Sequence, residues 1–170
     1  MRAELPPSAL LARLAGGGNY TDAYATELQG GFAHAEFVAA FYTTLVFRAE
    51  RLVLRVMLGI RSSDAQAAEL AAGRIDRFAV WNVEARAANQ LLMTDYTGRT
   101  SSWLMTEAVD HPAGSRTRLW FGSAVRPPPG ANPGRRKLGM PFDVLLGFHQ
   151  LYSRILLASA RRRLRARKLR

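Results

Sequence analysis

The chain has no cysteine, so neither a disulfide framework nor a thiolate metal site is open to its 170 residues. That absence suits a cytoplasmic protein without requiring one. Histidine is scarce: His34, His111 and His149 are the only three, none lies at metal-ligand spacing from another, and no metal is expected. No apolar run reaches the ~18 residues of a membrane span. The best candidates are interrupted by Arg48 and by His149 and Arg154. The opening residues, Met1-Arg2-Ala3-Glu4-Leu5-Pro6-Pro7, lack a long apolar core and a cleavage pattern. No signal peptide is therefore read, and a cytoplasmic location is expected. Gly16-Gly17-Gly18 follows no strand, and no phosphate-binding glycine fingerprint occurs elsewhere, so no cofactor is expected. Gly122-Ser123-Ala124 lacks the nucleophile-elbow pattern, and no motif assigns a catalytic residue.

Hydrophobic residues make up 48% of the chain, which suits one globular domain with a usable core. The formal net charge is +11, carried almost wholly by arginine. Arginine can reflect phosphate recognition; the abundance of alanine points instead to GC-rich coding. Much of the excess sits in one run, Arg161 to Arg170, which contains no acidic residue. Without that run the net charge would be about +4, ordinary for a soluble domain.

The stretch Asp76–Pro127 reads as four short strands: Phe78–Ala85, Gln90–Tyr96, Thr100–Glu107 and Thr117–Val125. Each is rich in β-branched and aromatic residues, and turn residues separate them. The short connections allow only antiparallel neighbours. Upstream, Pro6-Pro7-Ser8 opens a short helix, Tyr20–Leu28 alternates as a strand, and Ala33–Leu58 is helical. In that helical run Phe37, Phe41, Leu45, Ala49, Leu52 and Val56 form an apolar stripe. Arg48, Arg51 and Arg55 form the wet face, and Thr43-Thr44 marks a bend. Ser63-Asp64-Ala65-Gln66 is a capping box opening a brief helix. The last helix is expected over Phe142–Arg163, after the proline- and glycine-rich segment that follows Val125.

Element order and several strings suggest kinship. Tyr20-Thr21-Asp22-Ala23-Tyr24, Asp76–Glu84, Ser101-Ser102-Trp103-Leu104 and Thr117–Val125 precede a final amphipathic helix. Together they resemble an uncharacterised bacterial family of the START/polyketide-cyclase-like superfamily, to which the birch-pollen-allergen-like proteins also belong. The resemblance implies an α+β helix-grip fold, in which a curved antiparallel sheet wraps a long C-terminal helix. The resemblance covers most of Asn19 to Ala160; with the chain length and the charge run, one domain over residues 1–160 and a basic tail over 161–170 are expected. Members of the superfamily bind lipids, sterols or polyketides in an apolar cavity between sheet and helix, and some are cyclases or dehydratases.

The expected ligand is accordingly a hydrophobic small molecule or lipid. Candidate pocket residues are Trp81, Asp95, Arg99, Ser101, Trp103, Phe121, Ser123, Leu145, His149 and Tyr152. Phe121 and Ser123 are placed inward because Arg118 argues that its own face is solvated. His149 is either a pocket acid/base or, as we prefer, a core histidine satisfied by a carbonyl or Tyr152. Asp95 is either an inward carboxylate paired with Arg99 or, as preferred, an exposed carboxylate in the turn at Gly98. A second function is a cyclase or dehydratase using His149, Tyr152 and Asp95. A third is contact with an anionic membrane or acidic partner through Arg161, Arg162, Arg163, Arg165, Arg167 and Lys168. For these residues we rank a frayed, solvated helix end first, an anionic membrane surface second and nucleic acid third, since no aromatic is interleaved for base stacking.

Overall fold

The computed structural model of the chain describes residues 1–112, 114–127 and 140–168; for 140–150 and 168 it describes the backbone alone. The fold is α+β, with a six-stranded open antiparallel sheet and a long C-terminal helix. A 3-10 helix over Leu10–Leu14 comes first. The strands are β1 (Tyr20–Gln29), β2 (Arg77–Phe78), β3 (Trp81–Ala87), β4 (Gln90–Asp95), β5 (Thr100–Val109) and β6 (Arg116–Val125). Their order across the sheet is β1-β6-β5-β4-β3-β2, so β1 lies beside the last strand of the meander, Tyr20 opposite Val125. The helices are α1 (His34–Tyr42), α2 (Leu45–Leu58), α3 (Asp64–Ala71) and α4 (Met140–Lys168).

Local chemistry sets the element ends. Thr43 and Thr44 divide the helical run, as the sequence predicts: the Thr43 hydroxyl donates to the Ala39 carbonyl at 2.6 Å. Thr44 caps α2 by accepting from the Phe47 N–H at 3.1 Å. Ser63 and Gln66 form the expected reciprocal capping box on α3. Arg48 and Arg51 of α2 both bind Asp64 in the first turn of α3, which ties the two helices together. The strand expected from Phe78 is interrupted. Phe78 belongs to two-residue β2, Ala79 turns the chain with φ 52, and β3 begins at Trp81.

Both faces of the sheet are covered. On one, Phe37, Phe41, Tyr42, Phe47, Phe78 and Phe121 pack with Leu91, Met93, Leu104 and Leu119 under the helices. Phe41 is the hub: its ring lies 4.9 Å from that of Phe121, 5.3 Å from Tyr42 and 6.2 Å from Phe37. On the other, Leu92, Trp103, Met105, Trp120 and Ala124 pack beneath the 3-10 helix. Gln90 fastens that helix: its side-chain oxygen accepts from Leu10 N–H at 2.8 Å and from the Trp103 indole at 2.9 Å, while its amide donates to the Ser8 carbonyl at 3.0 Å. Gly122 permits the close approach, because a β-carbon there would stand 2.7 Å from Leu11 Cδ2. Residues 1–3 run along the free edge of β1, with Ala3 N–H on the Ala23 carbonyl and Ala25 N–H on the Met1 carbonyl. That covering blunts an edge open to other strands.

Four expectations change. Ser101 and Trp103 do not share a face with Phe121 and Ser123: Trp103 lies opposite Gly122, and both Ser101 and Trp103 belong to the 3-10-helix side. The face that carries Arg118 is not simply solvated, because Trp120 on it is buried. The stripe expected along Phe37–Val56 is buried only in α1; beyond the bend, Leu45, Leu52 and Val56 are exposed. The division at residue 160 is also absent. α4 runs unbroken to Lys168, and Leu164, 1% exposed, is part of the main core, so the arginine run is helix rather than a separate tail.

Candidate functional site

In β1 the residues Tyr20, Asp22, Tyr24 and Thr26 alternate onto the helix-covered side of the sheet. Asp22 is buried and accepts from three hydroxyls: Ser123 at 2.5 Å, and Tyr20 and Tyr24 at 3.2 Å each. Strand register creates this cluster, since Asp22 is paired with Ser123 across β1 and β6. Burial, then the neighbouring Asp22 carboxylate, pushes the Tyr24 phenol well above its ordinary range, so it stays a donor.

Tyr24 also borders the groove between β1 and α4. α4 packs against β1, β6 and α1. Its positions 154, 157, 158, 161, 162 and 165 recur at helical spacing and face Met1, Tyr24 and Thr26 across a space of about 370 Å³. Ala158 is exposed in this space, with Tyr24 and Leu157 buried at its base, and Arg154, Arg161, Arg162 and Arg165 supply charge. Among the described residues no carboxylate lines this space. None of the four arginines forms an ion pair among the described residues, whereas Glu27 of β1 is engaged by Arg116 and Arg118. Arg161 and Arg165 also border an adjoining groove against Leu28, Gly30 and Phe32. Exposed arginines grouped this way offer planar cationic forks that suit a carboxylate or phosphate.

A second polar contact joins α4 to α2, where Tyr152 donates to the Glu50 carboxylate. Burial raises the Glu50 carboxyl above the ordinary carboxylate range, and the Tyr152 bond offsets this only in part. Tyr152 is itself raised by burial and by the Glu50 charge. A raised folded-state value means that the folded protein holds this proton more tightly than the unfolded chain. The resulting stability is full below the unfolded carboxyl value and is lost as pH rises through the folded value. Glu50→Gln is therefore expected to raise the melting temperature at about pH 7 and to leave it unchanged near pH 4, below the ordinary glutamate value. Thermal denaturation followed by circular dichroism at both pH values checks this.

Of the sequence-predicted pocket residues, Trp81, Phe121, Ser123 and Tyr152 border the helix-side core. The Trp81 indole N–H is buried without a partner among the described residues. Ser101 and Trp103 lie on the other face; Ser101 bonds to Thr94 at 2.9 Å. Asp95 is the turn carboxylate: it accepts from the Thr97 hydroxyl at 2.8 Å and the Arg99 backbone N–H at 3.0 Å, with no ion pair to the Arg99 guanidinium. The side chains of Leu145, His149 and Lys168 lie outside the described residues, as do residues 128–139. Among the described groups named for proton transfer, Asp95 closes its turn while Tyr152 sits on Glu50, and no hydrogen bond joins them.

Asp22, Tyr24, Glu50 and Arg154 were not singled out from sequence, although the shared phase of Tyr20, Asp22 and Tyr24 was visible. His34, at the start of α1, has both ring nitrogens buried without a partner among the described residues. Burial, with help from Arg86, lowers it to about 4. No group of three or more potential metal ligands occurs among the described residues, and no helix among them is long and apolar enough to cross a membrane.

No family model matches the chain, and no curated protein matches it. Among solved structures, an uncharacterised protein from Rhizobium leguminosarum is 9% identical, with 87% of this chain and 97% of that chain covered at a TM-score of 0.33. At that score the likeness bears on neither function nor site.

Proposed function

We propose that this is a helix-grip protein of the START/polyketide-cyclase-like superfamily, and that it binds a lipid or other hydrophobic small molecule with an anionic head between the sheet and the C-terminal helix. The carrying observation is the β1–α4 groove, where four arginines that form no ion pair among the described residues border Ala158 above the buried Tyr24 and Leu157. Its volume suits a small ligand, for which sites run from about 300 to 1,000 Å³. Element order, with α4 packed on the sheet, supports the helix-grip reading. The buried Asp22–Ser123 cluster beneath fixes the Tyr24 ring that forms the groove floor.

The test is ligand-induced stabilisation. Dodecyl phosphate below its micelle concentration is expected to raise the melting temperature saturably, since a ligand at about 100 times its Kd adds ~2.7 kcal/mol to folding. Inorganic phosphate at the same concentration is expected to do less, because it lacks the apolar part. Arg161→Ser combined with Arg165→Ser is expected to abolish the alkyl-phosphate shift while leaving the unliganded melting temperature within a few degrees, both side chains being exposed. An equal shift in wild type and double variant, or none in wild type, would remove the groove as the site.

A further inference from the structure

α2 carries its apolar residues on the wrong side for a core helix. Phe47 is its buried residue, and Val46 and Leu54 are half-buried. Leu45 and Val56 are 77% exposed and Met57 76%, with Leu52 and Val53 also exposed. At 100° per residue, positions 45, 49, 52, 53, 56 and 57 form one continuous strip, while Phe47, Glu50 and Leu54 point to the protein. α2 therefore has two apolar faces, and the larger meets water. Scattered exposed leucines need no explanation, but a contiguous helical strip of five large apolar side chains does.

Charge identifies what would cover it. Along the edge of the strip beside Leu52 stand Arg48, Arg55 and Arg61, with the largely buried Arg51 behind them, against a single carboxylate, Asp64. Arg48 and Arg51 share that carboxylate, and Arg55 and Arg61 have no ion pair among the described residues. The helix's own acid, Glu50, is turned inward onto Tyr152. The exposed half of α2 thus shows apolar side chains and positive charge, with no negative charge of its own. Pairing two such faces antiparallel across a two-fold axis would set one arginine edge against the other, inside a chain of net charge +11. An anionic bilayer satisfies both features at once, taking the apolar strip into the acyl boundary and the arginines at the headgroups.

We infer that α2 is a membrane-docking helix that lies in the interface of an anionic bilayer, with Leu45, Leu52, Val53, Val56 and Met57 inserted. The surface differs from the β1–α4 groove, and the inference does not depend on that groove binding a ligand. Docking is peripheral and reversible, because α2 is 14 residues long and remains anchored to the fold by Phe47 and by the Thr44 cap.

The experiment is flotation of the full chain with large unilamellar vesicles of phosphatidylcholine, with and without about 30 mol% phosphatidylglycerol, at low and physiological salt. Wild type is expected to float with the anionic vesicles and not with phosphatidylcholine alone. Val56→Glu is expected to reduce the bound fraction about tenfold or more, since it places a carboxylate in the inserted strip. Its melting temperature should match wild type, the position being solvent-exposed. Arg161→Ser with Arg165→Ser, in the groove, is expected to retain most of the flotation. Because the chain lacks cysteine, a dye on Met57→Cys reports insertion directly and is expected to shift to the blue on anionic vesicles, whereas a dye on Ala88→Cys, in the exposed β3–β4 turn, is not. Equal flotation of wild type and Val56→Glu, or no blue shift at position 57, would overturn the inference. So would a wild type that is dimeric by light scattering and becomes monomeric with Val56→Glu, since α2 would then be covered by a second copy.

Discussion

Phe41→Ala is expected to be the most damaging single substitution among those proposed, lowering folding stability by about 3–5 kcal/mol. Phe41 is 1% exposed and touches Phe37, Tyr42, Phe47 and Phe121, so it joins α1 and α2 to the sheet. Truncation removes one ring from a set of edge-on and tilted contacts and leaves a cavity that helices pinned by the Thr43–Thr44 cap cannot easily close. In a chain of this length the loss corresponds to a fall of roughly 10 °C in melting temperature. Phe41→Leu, which keeps most of the volume, should recover more than half. Denaturant unfolding followed by tryptophan fluorescence measures both; a Phe41→Ala loss below about 1 kcal/mol would show that the aromatic cluster is not the stabilising centre.

Asp22→Ala is expected to be the second most costly, with a loss of order 3 kcal/mol. The carboxylate is the common acceptor for Ser123, Tyr20 and Tyr24, and Tyr24 is buried. Removing the acceptor leaves the Tyr24 hydroxyl dry and unpaired, which costs more than the bond itself contributed. Two further variants separate this from simple loss of volume. Asp22→Asn keeps an acceptor oxygen and is expected to recover part of the loss. Asp22→Ala combined with Tyr24→Phe is expected to cost less than the sum of the two single changes, because the orphaned hydroxyl is then gone. Strict additivity in that cycle would mean that the hydrogen bond carries no stability. Since Tyr24 floors the β1–α4 groove, Asp22→Ala should also weaken the alkyl-phosphate response.

The meander was legible because Ala88-Asn89 and Gly98 punctuate runs of alternating residues, and the helix break was legible because two consecutive threonines compete with the helical backbone for hydrogen bonds. Facing was not. Leu91, Leu92 and Met93 are consecutive and all buried, so β4 has two apolar faces and its pattern cannot say which one the helices cover. The reason lies in Leu10 and Leu11, whose five-residue 3-10 helix is too short to announce that it roofs the second face. α2 failed for a different reason: a stripe's phase identifies a face and not what meets it. The arginine run concealed Leu164, which follows Leu157 and Ala160 at a spacing of three and four and continues the buried side of α4 into the charged segment. The groove itself could not be foreseen, since Tyr24 and Arg161 are brought together only by the packing of α4 on β1.

The pairing of β1 with β6 has a consequence for how the chain is made. The partners Tyr20 and Val125 lie roughly a hundred residues apart, and among the described residues β1 has no other strand neighbour beyond residues 1–3. On a ribosome that delivers residues at about 5–20 per second, β1 waits several seconds for its partner to emerge. Among the described residues, the clasp of Met1 to Ala3 along its outer edge is the pairing of β1 that lies close in sequence. The edge of the sheet formed by β1 is thus completed only after the whole meander has been made.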